Sequence, residues 1–491
     1  MSEALQYIVY LLQSGLGNLA SYLAAHVLLC LLPAFFIAGA LAALVPKEAI
    51  TRFLGRNTPK YISYPAAALA GSVLAVCSCT IVPLFAGIYR KGAGLGPAMT
   101  FLFFAPAGNI LALAYTGVAL GGDIALARII LSVTFGIGIG MIMALIFRKD
   151  DVQHDLETNG MDAKATLHRK TLIFLLLLVA LLIAGTLKVG LLTNSYATIT
   201  LPISGMDRFQ SFLYQLVPFD AAKGEEGVSA QGAILICLLA LIGLAAWRGL
   251  GKVDEGFNRW TWVSLGLIGL TFITAAAGLV PHAGGLDILL TGKMFGVGLT
   301  MVAIALVAWK AFDPYDIQEW LWETWRFVRQ IFPLLIVGVF VVGMVRRIIQ
   351  PEWIQALAGR NTFLGALAGV FFGIFMYFPT LVEVPIAKMF LDLGMHRGPL
   401  LAYLMADPEL SLQSILITAK IIGNKKAWTY VALVALFSTL SGLIYGAWVD
   451  GASAWVLLAY LAAAIGALAV ALTVIDRRNR RVATAPAHGT E

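Results

Sequence analysis

Apolar runs long enough to cross a lipid bilayer recur along almost the whole chain of 491 residues. Thr171–Val189 and Trp455–Val474, for example, carry almost no charge over the roughly 20 residues that a membrane-spanning helix needs. Only 12% of the residues are charged, which is about half the share found in a soluble domain. We therefore predict an all-α polytopic membrane protein with about 12–13 transmembrane segments.

The candidate segments are apolar stretches bounded by polar or charged residues. They are Ser21–Val45, Tyr61–Tyr89, Pro97–Thr116, Ile124–Phe147, Thr171–Thr193, Gln231–Trp247, Trp260–Val280, Leu286–Trp309, Val328–Val345, Phe363–Leu391, Pro399–Ile422, Trp428–Trp448 and Ser453–Ile475. The amphipathic, tryptophan-rich stretch Asp313–Gln330 predicts an interfacial helix that leads into the next span. We expect the first span to be retained, because no Lys or Arg precedes Lys47 and a signal peptide begins with a basic region.

Two parts of the chain repeat each other. Gly55-Arg56-Asn57-Thr58 recurs 304 residues later as Gly359-Arg360-Asn361-Thr362. At a shift of 302, Ser78–Asn109 aligns with Thr380–Ser411 without a gap and with seven identities. The identical pairs are Val82/Val384, Pro83/Pro385, Gly92/Gly394, Gly96/Gly398, Pro97/Pro399, Leu102/Leu404 and Pro106/Pro408. Because most of them are Pro or Gly, which fix backbone shape, they predict two pseudo-symmetric units with Pro/Gly-broken helices.

The repeat predicts four parts of the chain. We place the first unit at residues 1–150 and the second at 328–450. Loops and four additional spans occupy 151–327, and a last span with a basic tail occupies 451–491. The spans between the units predict that the units are parallel, whereas the basic clusters predict that they are inverted, so their orientation stays open.

The net charge of +7 comes from basic clusters that flank the spans. This pattern indicates lipid headgroups and membrane topology, and we expect no nucleic-acid binding because no basic, aromatic-interleaved soluble module is present. The basic run Arg477–Arg481 is expected on the cytoplasmic side of the cell inner membrane.

Two thiols one residue apart, in Cys77-Ser78-Cys79-Thr80, lie inside the apolar segment that ends at Tyr89. Pro83 follows them, and because proline lacks an N–H and crowds the carbonyl four residues back, we expect the helix to break between Cys77 and Pro83. Broken backbone at membrane depth is tolerated only where protein or a cavity covers it. Thiolates bind soft metals, so the pattern predicts Cys77 and Cys79 as metal ligands, with ordinary buried cysteines as the alternative.

The second unit carries carboxyl groups where the first is neutral. Glu383, Asp407 and Glu409 align with Ile81, Ala105 and Ala107. Acidic residues within spans are costly and usually face a pathway or a partner, but a local pair of Lys388 with Glu383 or Asp392 is the alternative. The predicted substrate-binding residues are Cys77, Ser78, Cys79, Thr80, Asn109, Thr380, Glu383, Asp407 and Glu409, beside helix breaks at Pro83, Pro106, Pro385 and Pro408.

The motif from Cys77 to Pro83, together with Pro97 and Ala105-Pro-Ala-Gly-Asn109, resembles the predicted-permease family that includes bacterial organoarsenical efflux permeases. The resemblance covers both repeat units, which make up roughly half of the chain. It implies an efflux permease, and members are associated with export of trivalent arsenicals and related thiophilic species.

The residues and the resemblance together predict a secondary-active permease that exports a thiophilic metalloid or heavy-metal species. Inorganic trivalent arsenic prefers three sulfur ligands, and Cys30 or a carried thiol is the option for the third, while Cys237 is most simply a buried hydrophobe. The sequence contains no phosphate-binding loop, so we expect no cofactor. The energy is then expected from an ion gradient, with proton coupling through the carboxyl groups, or from a partner protein.

Two other functions compete with metalloid export. The first is a permease for a sulfur-containing or other small anionic solute, with structural cysteines. The second is a membrane enzyme, which we do not expect because no His lies beside the thiol pair and no soluble catalytic domain is visible. The sequence leaves the oligomeric state open.

Overall fold

The computed structural model describes residues 3–25, 29, 31–73, 78–158, 168–186, 190–203, 205–217, 227–282, 285–346, 348, 351–375 and 383–453, with isolated residues from 455 to 466. The helices are α1 (Glu3–Ala25), α2 (Leu32–Leu44), α3 (Lys47–Leu54), α4 (Lys60–Val73), α5 (Ser78–Arg90), α6 (Leu95–Ala107), α7 (Ile110–Leu120), α8 (Gly122–Ile146), α9 (Arg148–Thr158), α10 (Arg169–Thr186), α11 (Gly190–Thr193), α12 (Met206–Leu216), α13 (Ala230–Arg248), α14 (Arg259–Ala276), α15 (Gly292–Ala311), α16 (Pro314–Arg346), α17 (Pro351–Ala358), α18 (Phe363–Phe375), α19 (Glu383–Asp392), α20 (Arg397–Ala406), α21 (Leu412–Ile422) and α22 (Asn424–Val449). A short 3₁₀ helix, Leu250–Glu255, follows α13.

Long apolar helices confirm the predicted all-α polytopic membrane protein. Within the described residues, six helices have the length and composition to cross a bilayer, and the bent pair α6 and α7 would make a seventh. The other apolar helices of this part of the chain include α2, α18 and α21, which are about half as long as a span. Several predicted segments are therefore pairs of short helices rather than single rods.

The helix boundaries repeat at the shift that aligns the sequences. α7 and α21 begin and end at positions 302 residues apart, and α8 and α22 begin 302 residues apart. The left-handed glycines before these helices also correspond, with φ of 118° at Gly121 and 90° at Gly423. This correspondence confirms the two pseudo-symmetric units with broken helices.

The repeated Gly-Arg-Asn-Thr motif marks the end of a short helix in each unit. A Cβ atom at Gly55 would meet the Thr51 carbonyl oxygen, and one at Gly359 would meet that of Gln355, so both positions require glycine. The carbonyl just before each glycine accepts a hydrogen bond from the turn before α6 or α20. The two bonds run from Gly94 N–H to Leu54 (2.8 Å) and from His396 N–H to Ala358 (2.9 Å).

The two units are inverted, because their last helices, α8 and α22, cross antiparallel. Lys426 at the start of α22 pairs with Asp150 just beyond the end of α8 (3.2 Å). At the other end, the Tyr445 hydroxyl donates to Asp123 at the start of α8 (2.9 Å). Between these contacts, the rings of the equivalent residues Phe135 and Phe437 lie 4.8 Å apart.

The pseudo-two-fold axis therefore passes between these two rings, across the helices. Since α8 and α22 both have the length of a span, this axis lies in the membrane plane, which is the geometry of an inverted repeat. The sequence left the orientation of the units open, and the structure shows the inverted orientation that the basic clusters predicted.

Several boundaries differ from the predicted ones. α16 runs unbroken from Pro314 to Arg346, so the predicted interfacial stretch and the span after it form one helix. Trp320 and Trp325 of this stretch are buried, and Trp320 donates to the Phe36 carbonyl (2.9 Å). The first predicted span combines the end of α1 with α2, because α1 already begins at Glu3.

A three-stranded antiparallel sheet was not predicted. Its strands are β1 (Ser195–Leu201), β2 (Gly278–His282) and β3 (Gly285–Thr291), in the order β1-β3-β2. β3 takes the first residues of one predicted span because the helix starts only at Gly292. The Thr200 hydroxyl donates to Asp287 across the sheet (2.6 Å), which lowers the pKa of that carboxyl.

Gly140 and Gly138 in α8 form a matched pair for testing the close contact of α6 with α8. A Cβ atom at Gly140 would meet Thr100 Oγ1 and the Gly96 carbonyl oxygen, whereas one at Gly138 has no atom within 4 Å. We expect Gly140→Ala to lower the free energy of unfolding by about 1–3 kcal/mol through overpacking. Gly138→Ala should be neutral or slightly stabilising. Thermal unfolding of both purified variants measures the difference, and equal melting temperatures would contradict the close crossing.

The inverted orientation predicts which positions share a side of the membrane. In a background with all native cysteines replaced by serine, Lys149→Cys and Lys425→Cys should react with a membrane-impermeant thiol reagent from one side. Gly122→Cys and Asp450→Cys should react only from the opposite side. Labelling in intact cells and in inverted vesicles measures this. Parallel units would instead place Lys149→Cys and Asp450→Cys on the same side.

Candidate functional site

Short helices of each unit pack against the other unit around the pseudo-two-fold axis. α5 of the first unit packs on α21 of the second, and the equivalent helices α19 and α7 pack on each other. The first turn of α5 contains Cys79 of the predicted thiol pair, and α19 begins at Glu383. The candidate site therefore lies where the two units meet.

The break between α6 and α7 depends on a glycine. α6 ends at Ala107, one residue after Pro106, and the Gly108 N–H donates to the Phe104 carbonyl (2.9 Å). A Cβ atom at Gly108 would come within 2.9 Å of that carbonyl oxygen and closer still to the Phe104 ring. Asn109, a predicted site residue, is buried at this break.

The equivalent break between α20 and α21 contains two of the predicted acids. α20 ends at Ala406, and Asp407 and Pro408 follow it. Ser411 caps α21, since its Oγ accepts from the Ser414 N–H (3.3 Å) and donates to the Ser414 hydroxyl (2.7 Å). Asp407 is fully buried within this break.

Two of the predicted prolines do not break a helix. α5 continues through Pro83 to Arg90, although the proline lacks the N–H that would bond to the Cys79 carbonyl and crowds that carbonyl. Pro385 is the third residue of α19, in the first turn, where a backbone N–H has no intrahelical acceptor. The start of α5 at Ser78, and not Pro83, defines this part of the site.

The structure describes the predicted thiol motif only in part. Cys77 and Thr380 lie outside the described residues, as does Cys30. Ser78 and Cys79 are the first two residues of α5, and Thr80 after them is buried. No group of three or more His, Cys, Asp or Glu residues that could hold a metal occurs within the part of the chain that the structure describes.

Glu383 forms a buried ion pair with Arg128 of the other unit. Arg128 Nη2 donates to Glu383 Oε1 at 2.6 Å, and both side chains are 0% exposed. Arg128 Nη1 also donates to the Thr116 hydroxyl (3.0 Å). The pair joins α8 to the first turn of α19.

This ion pair corrects the local alternative for Glu383. Lys388 approaches Asp392 (4.0 Å) on the exposed surface, so only that half of the alternative is observed. Arg128 was missed because its acid lies 255 residues away in the sequence. The available signal was a single arginine inside the apolar segment Ile124–Phe147, and charged residues in such segments usually have a specific partner.

Glu409 lies in a second buried contact between polar groups. The Tyr430 hydroxyl donates to Glu409 Oε2 at 2.8 Å, and both side chains are buried. The Ala107 backbone, which is the repeat equivalent of Glu409, lies against the carboxyl group. Equivalent residues meet only near the symmetry axis, so Glu409 marks this axis at the helix breaks.

A small cavity beside Glu409 connects the acid to the thiol-bearing helix. Ile81 and Val82 of α5 line it, together with the hydroxyl-bearing residues Ser414 and Thr418. It has room for about one water molecule. Ile81 is two residues after Cys79, a rise of about 3 Å along the helix, so the first turn of α5 lies close to Glu409.

The side chains that contact Glu383 and Glu409 come from equivalent positions of the two units. Arg128 and Tyr430 lie 302 residues apart, as do Thr116 and Thr418. One unit thus presents a cation and the other a phenol from the same position of the same helix. Both partners meet acids of the second unit.

Comparison with known proteins agrees with this architecture. A family profile described as predicted permease matches residues 14–447. The UPF0718 protein MJ0584 of Methanocaldococcus jannaschii is 33% identical over 446 residues, which cover 90% of this chain and 98% of that protein. The UPF0718 protein YraQ of Escherichia coli is 31% identical over 128 residues, which cover 26% of this chain and 35% of that protein. No solved structure matches the chain.

The family match extends from α1 into α22, so it includes both units, the broken helices and the buried contacts between them. It confirms the resemblance that the Cys-x-Cys and Pro/Gly motifs indicated. The chain therefore belongs to the family of predicted permeases.

Proposed function

We propose that this permease is a secondary-active exporter of a thiophilic metalloid or heavy-metal species, of the arsenical or antimonial type. The observation that supports it best is the position of the first turn of α5. That turn carries Cys79 and adjoins the cavity of Glu409 at the axis between two inverted units. Sites of secondary transporters typically lie at such repeat interfaces, on discontinuous helices.

The chemistry of the first turn favours a soft substrate. Two thiols one residue apart suit a monomethylated trivalent arsenical or a two-coordinate mercurial, because thiolates select soft ions. The N-terminus of a helix carries partial positive charge, which stabilises a thiolate formed there. Ligation by Cys77 and Cys79 displaces any thiol protons, and Cys30 or a carried thiol supplies a third sulfur where the substrate needs one.

Inverted units provide a route for alternating access. Rocking of one unit against the other about the crossing of α8 with α22 would open the centre to each side in turn. The sequence carries no nucleotide-binding motif, so the energy comes from an ion gradient, and the buried acids make protons the proposed coupling ion. No catalytic step is part of this function, and the protein acts as a transporter rather than an enzyme.

We place the protein in the cell inner membrane with its C-terminal tail in the cytoplasm. The basic pairs Arg148-Lys149 and Lys425-Lys426 both lie at the end of the α8–α22 crossing marked by Asp150 and Lys426. Two basic clusters on one side favour the cytoplasmic orientation of that side.

Export of a small anionic or sulfur-containing solute is the second candidate. One observation favours it, namely the buried guanidinium of Arg128 at the interface between the units. That cation already binds Glu383, so an anionic substrate would have to compete with a buried carboxylate. In this candidate Cys77 and Cys79 have only structural roles.

Replacement of the two thiols separates the candidates. We expect Cys77→Ser and Cys79→Ser each to abolish resistance to methylarsenite, because serine keeps the size but is a hard, weak ligand. Cys237 is exposed on α13, not buried as predicted. Cys237→Ser is therefore the control and should keep full resistance. Growth of an efflux-deficient strain on methylarsenite, arsenite, antimonite and mercury measures the effect, with membrane insertion checked in each variant.

Full resistance in the Cys77→Ser/Cys79→Ser double variant would remove the thiol mechanism and favour the second candidate. A wild-type chain that confers no resistance to any of the four species would contradict metalloid and heavy-metal export altogether.

A further inference from the structure

The two acids at the centre face partners of different charge from equivalent positions. Glu383 faces Arg128, and Glu409 faces Tyr430, the repeat equivalent of Arg128. The two partners occupy equivalent positions on α8 and α22, whereas the acids do not, since Glu383 aligns with Ile81 and Glu409 with Ala107. A cation fixes the charge of its acid, whereas a phenol does not.

Glu383 is held as one half of an ion pair. Its contact with Arg128 is 2.6 Å long and excluded from solvent. The Thr116 hydroxyl accepts from the other terminal nitrogen of Arg128 and so orients the guanidinium. Protonation of Glu383 would leave the Arg128 charge buried without its counter-ion, which is strongly unfavourable. Arg128 and Glu383 therefore act as a positioning pair that joins α8 to α19.

Glu409 can change its charge without losing its partner. The Tyr430 hydroxyl donates to Oε2 of the carboxylate at 2.8 Å, and a phenol oxygen can equally accept from the protonated carboxylic acid. The ionisable groups around Glu409 are Tyr430 on α22, Arg128 on α8, Glu383 on α19 and Asp407 in the same break. Because Arg128 is engaged by Glu383, a proton on Glu409 removes a negative charge that Arg128 does not fully compensate.

The small cavity leaves room for a water molecule beside Glu409. It lies against the carboxyl and includes Ser414 and Thr418, whose hydroxyls can bind a water molecule. Ala427, at the start of α22, also lines the cavity. The cavity thus lies toward the end of α22 where Lys426 meets Asp150.

We propose that Glu409, with Tyr430 as its hydrogen-bonding partner, is the proton-binding site of this permease, and that the Arg128–Glu383 pair stays ionised throughout. The Glu409 carboxylate accepts one proton from one side of the membrane and releases it to the other after the units have moved. Its use as the coupling site of export rests on the proposed function, but the protonation itself does not.

Infrared difference spectroscopy of the full-length protein in lipid vesicles tests the proton site without any substrate. Acidification should produce the carbonyl stretching band of a buried carboxylic acid in the wild type. Glu409→Gln should remove this band, whereas Asp407→Asn should keep it. The double variant Glu383→Gln/Arg128→Met, which removes both charges of the ion pair together and so avoids an uncompensated guanidinium, should also keep it.

Tyr430→Phe tests the hydrogen bond separately from packing, because it removes the hydroxyl and keeps the ring. It should shift the pH at which the band appears, because the hydroxyl contacts the titrating carboxyl. A band that persists in Glu409→Gln, or one that disappears in the double variant, would overturn the assignment.

Transport in proteoliposomes tests the coupling, with methylarsenite as the probe. Glu409→Gln should lose accumulation driven by a pH gradient and keep exchange at equal pH, because exchange needs no net proton movement. Undiminished pH-driven accumulation in Glu409→Gln would overturn the coupling role. A wild type that does not move methylarsenite would overturn the proposed substrate instead, and the infrared result would still decide the proton site.

Discussion

Broken helices at membrane depth need protein around them, and this requirement shapes the whole molecule. Free backbone groups cannot be left in lipid, because no water is there to bond them. Each unit covers the breaks of the other, through the packing of α5 on α21 and of α7 on α19. The antiparallel crossing of α8 with α22 holds the two units together in this arrangement.

A nearly symmetric scaffold carries asymmetric chemistry. The helix boundaries, the positive-φ glycines and the threonines at 116 and 418 correspond between the units. The predicted site positions do not, since the acids at 383 and 409 have apolar equivalents at 81 and 107. Under the proposed function, both units share a backbone shape because they perform the same movement, while their polar groups differ because each unit handles a different ligand.

The sequence predicted what local backbone chemistry determines. Prolines and glycines fix the chain wherever they occur, so the repeat, the breaks near Pro106 and Pro408 and the membrane class could be read directly. Long-range contacts could not be read in this way, because nothing local links Arg128 to Glu383 or Glu409 to Tyr430. Local reasoning also gave a wrong expectation at Pro83. The missing N–H does not end α5, because packing supports the helix there.

Asymmetry between inverted units does not by itself give transport a direction. In the proposed alternating-access cycle, the second unit opens its acids to one side in one conformation, and the same acids face the opposite side after the units have exchanged shapes. A carboxyl that binds and releases protons in both conformations equilibrates with both compartments. The net movement of protons and substrate then follows whichever of their gradients is larger. Export therefore requires that proton occupancy of Glu409 and substrate occupancy of the thiol-bearing turn exclude each other. The shared cavity between α5 and Glu409 provides the closeness that such exclusion needs.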